Sequence, residues 1–213
     1  SWTKALSLNS VCVPALRGLA AVENAAGRHA RAVQLLVQAS GAEPGNSQSW
    51  FELGDSYSQL GEWTNAWAAF SLSRKLAPTN AHAILGVAEA AMNLDRPDDA
   101  LDALDAALAI NDTVATAWFL RGALLSQKGR VAEAVESYRR ALELDPGRVN
   151  AWHNLAHDLI GLKRYHDSIE ASSRALQLRP GFASALNLKG LGLHGLRRFE
   201  EAVAAFDQAL AAD

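Results

Sequence analysis

Two histidines four residues apart, His153 and His157, come closer than any other side chains to the spacing of a reactive site. On a helix, residues i and i+4 share one face, where two imidazoles can bind one metal ion and His194 could add a third ligand. The residues between them are Asn154-Leu155-Ala156, so the glutamate base of an H-E-x-x-H metalloprotease is missing. We therefore predict histidines that hydrogen-bond to a peptide or to solvent, and no metal site.

The remaining candidate groups also have structural interpretations. Asp98, Asp99, Asp102 and Asp105 lie at the start and on the exposed face of one predicted helix, where carboxylates complement the helix dipole. The sequence contains no phosphate loop, nucleophile elbow or dinucleotide-binding fingerprint. Its single cysteine, Cys12, excludes an internal disulfide and a multi-cysteine zinc site. We expect no enzyme activity and no cofactor.

The composition narrows the classes of partner. The 213 residues carry a formal net charge of −3, which gives no reason to expect nucleic acid or an anionic membrane surface as the partner. No apolar run reaches the roughly 18 residues that a membrane-spanning helix requires. We therefore predict a protein or peptide ligand, no nucleic acid and no membrane insertion, and the sequence does not indicate a compartment.

The elements that position these residues repeat every 34 residues, without a gap from Val13 to Asp213. Residues 115–150 show the unit clearly, with two amphipathic helices joined at Lys128-Gly129-Arg130 and closed by Asp145-Pro146-Gly147. Fixed self-similarity at this period is typical of a stacked array of helical repeats. A small residue recurs in each first helix, at Ala20, Gly54, Ala88, Gly122, Ala156 and Gly190. A bulky residue precedes it by four, at Leu16, Trp50, Ile84, Trp118, Trp152 and Leu186.

At these positions the chain resembles the tetratricopeptide repeat (TPR) family. The second repeat matches the family pattern at Trp50, Leu53, Gly54, Tyr57, Ala66, Phe70 and Pro78. The resemblance covers residues 13–213 and implies an all-α fold, a right-handed superhelical solenoid of stacked helix-turn-helix repeats. It is specific for architecture and says little about function.

The register divides the chain into six repeats after a short remnant of a preceding repeat helix. The predicted boundaries are 1–12 for the remnant, then 13–46, 47–80, 81–114, 115–148, 149–182 and 183–213. Within the first repeat, we expect helices over about 13–26 and 28–41. Ser168 and Ser172 replace larger residues of other repeats, which predicts loose packing of that helix. Trp118 and Trp152 are predicted to be buried.

In this family the first helices line a concave groove, and the resemblance implies that the residues opposite the buried column face it. Phe51, Leu85 and Phe119 then form an apolar stripe, with Asp55 and Glu89 beside it. An apolar surface rimmed by polar groups is typical of a binding site, so we expect a peptide or partner helix that is apolar in its centre and carries Lys or Arg. The predicted peptide-binding residues are Phe51, Asp55, Leu85, Glu89, Met92, Phe119, His153, His157, Asn187 and His194.

Several more specific alternatives remain open. The Lys and Asn clamp of chaperone-binding members and the asparagine ladder of O-GlcNAc transferases are both absent from the predicted groove. The chain could still be the substrate-targeting array of a larger enzyme, for example a glycosyltransferase. Self-association through an uncapped C-terminal face near Val203, Phe206 and Leu210 is a further alternative. So is docking of an acidic partner along basic turns at Lys128, Arg130, Lys163, Arg164, Arg197 and Arg198.

Overall fold

A computed structural model describes residues 12–212, and every regular element in that range is an α-helix. The described residues form twelve helices of nearly equal length. They are α1 (Val13–Ala25), α2 (His29–Ala42), α3 (Ser47–Gln59), α4 (Trp63–Leu76), α5 (Ala81–Asn93), α6 (Pro97–Ile110), α7 (Ala115–Gln127), α8 (Val131–Leu144), α9 (Val149–Gly161), α10 (Tyr165–Leu178), α11 (Ala183–Gly195) and α12 (Phe199–Ala212). The expected all-α class is confirmed, while the predicted remnant at 1–12 lies almost entirely outside the described residues.

Local sequence explains where several helices begin. The Asn46 side chain accepts a hydrogen bond from the Ser49 backbone N–H at 3.2 Å, which caps α3. Asn80 caps α5 in the same way through the N–H groups of His82 and Ala83. Pro97 opens α6, where its missing N–H removes no helical hydrogen bond.

One turn position between paired helices always adopts the left-handed backbone conformation. In three repeats this position is a glycine, and in the other three it has a side chain, with φ of 55° at Asp95, 58° at Lys163 and 61° at Arg197. The conformation is unfavourable for residues that carry a Cβ. The geometry of the turn is thus kept in every repeat, although the favourable residue is not.

The helices form two compact units, one ending at Asn111 and the other beginning at Asp112. In each unit three helical hairpins pack in sequence order, so that each second helix also contacts the first helix of the next hairpin. Leu36 and Leu104 are completely buried in the first unit, and Val135 and Leu159 are almost completely buried in the second. The apolar side chains that recur at the 34-residue period therefore supply the interior of each unit.

Glycines let aromatic rings enter the interface between paired helices. A Cβ at Gly54 would lie 2.6 Å from Cδ1 of Phe70, and a Cβ at Gly86 would lie equally close on that ring. Gly122 faces Tyr138 and Gly190 faces Phe206 at similar distances. Where the first helix instead carries Ala20, Ala88 or Ala156, the partner position is Leu36, Leu104 or Ser172. The size of the small residue is therefore matched to its neighbour.

The tryptophans of the first helices are less buried than predicted. Trp118 and Trp152 are only half-buried, as is Trp50. Each indole N–H donates to a backbone carbonyl six residues earlier, with distances of 2.9 Å for Trp50, 2.8 Å for Trp118 and 2.9 Å for Trp152. An indole ring has an apolar body and a polar N–H, so this position fixes the preceding turn as well as packing against the interior.

The prediction of loose packing around Ser168 and Ser172 was wrong. Both side chains are fully buried in α10, which contacts α9 and α11. Ser168 Oγ donates to the carbonyl oxygen of Ala156 at 2.8 Å, and Ser172 Oγ donates to that of Ile169 at 3.0 Å. Small hydroxyl side chains fit because the helices approach closely and the backbone satisfies their hydrogen bonds.

Candidate peptide-binding surface

The first helices of the first unit are joined by polar contacts on the predicted binding face. Arg17 of α1 forms a bidentate ion pair with Glu52 of α3, with Nε–Oε2 2.8 Å and Nη2–Oε1 2.6 Å. This contact raises the pKa of the Arg17 guanidinium. The Asn24 side-chain amide donates to Ser56 Oγ at 2.8 Å. The charges at these two positions are therefore engaged within the protein.

Phe51, Leu85 and Met92 are half-buried on this face. The Phe51 ring centroid lies 5.8 Å from that of Phe70 and 6.4 Å from the His82 ring. One side of Phe51 is therefore part of the packed interior, and the other side is accessible. Removing the ring must lower stability as well as alter the surface, contrary to our expectation that Phe51 could be truncated without a thermal effect.

Asp55 and Glu89 are exposed on α3 and α5. Neither carboxylate takes part in an ion pair within the range 12–212. They contrast with Glu52, which lies on the same helix as Asp55 but is neutralised by Arg17. The surface therefore combines partly accessible apolar side chains with two carboxylates open to solvent.

In the second unit, Phe119 is packed from two directions. Its ring centroid lies 6.1 Å from that of Tyr138, and the Arg148 guanidinium carbon lies 5.3 Å from the Phe119 ring centroid. Burial raises the pKa of the Tyr138 phenol, and the negative charge of Asp158 raises it further. Phe119 is therefore half-covered by a cation, a change from the open apolar stripe expected from the sequence.

His153, His157 and Asn187 line a cavity of about 510 Å³ together with apolar side chains of α11 and α12. The His153 ring also lies against Phe182, with 5.2 Å between the centroids. The cavity thus combines groups that can hydrogen-bond to a peptide with apolar contact area from Phe206 and Leu210. It is the clearest concave site among the predicted residues of this unit.

A buried carboxylate supports one of these histidines and was missed by our sequence reasoning. Asp158 is 3% exposed, and its Oδ1 accepts from Ser126 Oγ at 2.8 Å and lies 3.0 Å from His157 Nδ1. Its position in the repeat is otherwise uncharged, with Val22, Ser56, Ala90, Leu124 and Gly192. That exception was the available signal. The contact orients the imidazole of His157, which is 70% exposed.

His194 lies apart from the His153 and His157 cavity lining and contacts Phe199, with 5.6 Å between ring centroids. Within the described part of the chain, no group of three or more His, Cys, Asp or Glu side chains is arranged to hold a metal ion. The structure therefore does not bring the three histidines together.

Most arginines of the predicted basic turns are paired. Arg130 and Arg198 each form two hydrogen bonds of 2.7 Å with a glutamate three residues later, Glu133 and Glu201. Arg164 pairs with Asp167 at the equivalent position. Each arginine immediately precedes a second helix, so the earlier explanation by a helix C-terminal dipole was wrong for them. These pairs reduce the positive charge available to an acidic partner.

A family comparison identifies the class of protein. The tetratricopeptide repeat model matches residues 16–81, 85–149 and 153–213, which is most of the chain. The chain belongs to the tetratricopeptide repeat family. Its fold is that of YrrB, described as a TPR protein with an unusual peptide-binding site, with a TM-score of 0.79 and 21% identity over 89% of this chain and 97% of that one.

Sequence likeness to curated proteins is local. The chain is 40% identical to a peroxisomal targeting signal receptor of Candida glabrata over 62 residues, which is 29% of this chain and 10% of the receptor. It is 26% identical to protein O-mannosyl-transferase TMTC3 of Mus musculus over 141 residues, which is 59% of this chain and 15% of that protein. The chain thus spans only a small fraction of these relatives. Across residues 12–212, no helix is long and apolar enough to cross a membrane.

Proposed function

We propose that the protein is a non-catalytic scaffold that binds a peptide or partner helix on the faces formed by its first helices. The observation that carries this proposal is the exposure of Asp55 and Glu89 beside the half-buried Phe51, Leu85 and Met92. Unpaired carboxylates next to accessible apolar area favour a ligand with Lys or Arg beside bulky apolar residues. The local likeness to a targeting signal receptor supports a short peptide as the class of ligand.

The second unit contributes a different kind of contact. Its cavity offers the imidazoles of His153 and His157 and the amide of Asn187, and His194 lies on the next first helix. These groups can donate to or accept from a peptide backbone as well as polar side chains. We therefore assign hydrogen bonding to this face and charge selection to the face of the first unit.

Selection from a random-peptide display library tests the proposal. We expect peptides enriched on the wild-type protein to combine basic and bulky apolar residues. The Asp55→Asn/Glu89→Gln variant should lose them, because it keeps the shape of two exposed side chains but removes their charge. The control is Asp102→Asn/Asp207→Asn, which removes two exposed carboxylates from second helices. Equal recovery of the same peptides on both variants would contradict the assignment.

A second candidate function is substrate targeting within a larger glycosyltransferase. The observation in its favour is the likeness to an O-mannosyl-transferase over 141 residues. In that case the groups described above would bind the acceptor protein, and the transfer chemistry would belong to another domain. Sequencing the intact reading frame decides this point, since the candidate requires a catalytic glycosyltransferase domain in the same chain.

The face of α12 supports self-association as a further property. Phe199, Val203 and Leu210 are 50%, 58% and 79% exposed, whereas Val135 and Leu142, which are equivalent to Val203 and Leu210, are buried in α8. Two such faces could cover each other. Light scattering should show a mass that rises with concentration, and Val203→Glu should abolish the rise. A concentration-independent monomer would refute this part of the proposal.

A further inference from the structure

Three equivalent clefts lie between successive second helices, on the side away from the predicted binding face. The first cleft lies between α2 and α4 over α3, with a volume of about 440 Å³. The second cleft lies between α4 and α6 over α5, and the third between α8 and α10 over α9, with volumes of about 600 and 340 Å³. Their lining positions coincide when the sequence is shifted by one or more repeats of 34 residues. Each cleft is therefore an internal control for the others.

The walls of the second and third clefts are charged. In the second cleft Arg74 and Lys75 lie on one wall, and Asp99 and Asp102 lie on the other. The third cleft has the same arrangement in general form. Its charged wall residues are Arg139, Glu143, Asp167 and Glu170, and Arg139 Nη2 lies 3.8 Å from Asp167 Oδ2 across the cleft. Charged side chains keep such a surface solvated, as expected for a face without a partner.

The first cleft has no charged lining residue among those the structure describes. At the positions that carry charge in one or both of the other clefts it has only small or uncharged residues. They are Val37, Ser40, Gly41, Asn65 and Ala68. Val37 is 47% exposed in the cleft, where the third cleft has Arg139. Charge has therefore been replaced at every wall position of one cleft, while the geometry of the cleft is retained.

The floor of the first cleft is apolar and aromatic. Trp50, Leu53 and Tyr57 form it, and Leu72 adds to the wall. The indole N–H of Trp50 is already bound to the Pro44 carbonyl oxygen, so the part of the ring facing the cleft is apolar. Burial raises the pKa of the Tyr57 phenol, which keeps this group neutral. The floor thus offers hydrophobic contact without a charge to attract a polar ligand.

We propose that the first cleft is a docking site for an amphipathic helix of a partner protein, which inserts bulky uncharged side chains between α2 and α4. A helix fits because the walls are themselves helices, and a third helix can lie in the groove between them. Gly41 and Ala68 present little side-chain bulk, which permits close approach. The inserted residues must be uncharged, since a charge moved from water into this cleft would have no partner. This site is separate from the face assigned under the proposed function.

The equivalent clefts supply the test substitutions. Ala68→Asp introduces the residue found at Asp102, and Val37→Arg introduces the residue found at Arg139, so the fold accommodates both. The control is Ala30→Asp on the exposed face of α2, which lies outside the cleft lining and introduces the residue found at Asp98. Circular dichroism should confirm that all three variants keep the helix content of the wild type.

The probe is a display library of amphipathic helical peptides, selected on the wild type and counter-selected on the Ala68→Asp/Val37→Arg variant. We expect enriched peptides with an uncharged apolar stripe, whose fluorescence anisotropy shows binding at least about tenfold weaker to that variant and unchanged to Ala30→Asp. Binding should also be unchanged in Asp55→Asn/Glu89→Gln, which separates this site from the proposed groove. A photo-crosslinking residue at position 68 should capture the peptide, and one at position 102 should not.

Two results would overturn the proposal. One is the absence of any peptide enriched on the wild type over the counter-selected variant. The other is enrichment of peptides that bind the Ala68→Asp/Val37→Arg variant as tightly as the wild type, or that crosslink at position 102 instead of position 68.

Discussion

Replacing Gly54 with alanine should have opposite effects on stability depending on the residue at position 70. In the wild type, the new Cβ would lie 2.6, 2.7 and 2.9 Å from three atoms of the Phe70 ring. These distances are well inside the 3.5–4.0 Å at which carbon atoms pack favourably. The ring has no room to retreat, because Gly86 faces it at 2.6 Å by the same measure. Either a helix or the ring must move.

The magnitude follows from two opposing effects. Overpacking an interior costs about 1–3 kcal/mol, and the trapped ring places this site in the upper half of that range. Alanine instead of glycine within a helix returns about 1 kcal/mol. Gly54→Ala should therefore lower the free energy of unfolding by about 1–2 kcal/mol. In a Phe70→Leu background the clash disappears and the same substitution should raise it by about 1 kcal/mol.

The chain itself contains the compatible combination, since Ala20 accompanies Leu36 and Ala88 accompanies Leu104. The assay is urea unfolding of the four members of the cycle, followed by both tryptophan fluorescence and circular dichroism because an array can unfold from one end. Gly54→Ala with the same effect in both backgrounds would refute the reasoning. It would mean that the ring and the glycine do not constrain each other.

Three further predictions concern stability and use single substitutions. Ser49→Ala should stabilise the protein by about 1 kcal/mol, since Ser49 Oγ is buried without a hydrogen-bond partner. The matched change Ser73→Ala should destabilise it by about 1 kcal/mol, since Ser73 Oγ donates to the Ser47 carbonyl oxygen at 2.8 Å. Lys163→Gly should stabilise it by about 0.5–1 kcal/mol, because φ is 58° there. Thermal and urea unfolding measure all three, and a shift of the wrong sign would contradict the explanation given for that residue.

The fold was predictable because the 34-residue period places the same kinds of residue on the same helix faces. The predicted first-repeat helices, about 13–26 and 28–41, differ by one residue at three of their ends from Val13–Ala25 and His29–Ala42. The pairing of glycine with aromatic rings was also present in the sequence, in the alternation of Gly54, Ala88 and Gly122 with their partners. Periodicity is thus sufficient where each contact repeats along the chain.

The candidate site was less predictable because its contacts do not repeat. Whether Phe51 is open to a ligand depends on the ring of Phe70 and on His82 from the next repeat. Asp158 is a single exception in its column, and its burial depends on Ser126 from the preceding repeat. Contacts of this kind are set by individual side chains across a repeat interface, and the period carries no information about them.

Charge reversal on the first unit tests the central claim most directly. A peptide selected on the wild type, with a basic residue essential for binding, is compared with the same peptide carrying glutamate at that residue. The account predicts that Asp55→Lys/Glu89→Lys prefers the glutamate peptide by about tenfold or more, whereas the wild type prefers the basic one. Asp102→Lys/Asp207→Lys should keep the wild-type preference. An unchanged preference in Asp55→Lys/Glu89→Lys would contradict the assignment of this face as the peptide-binding surface.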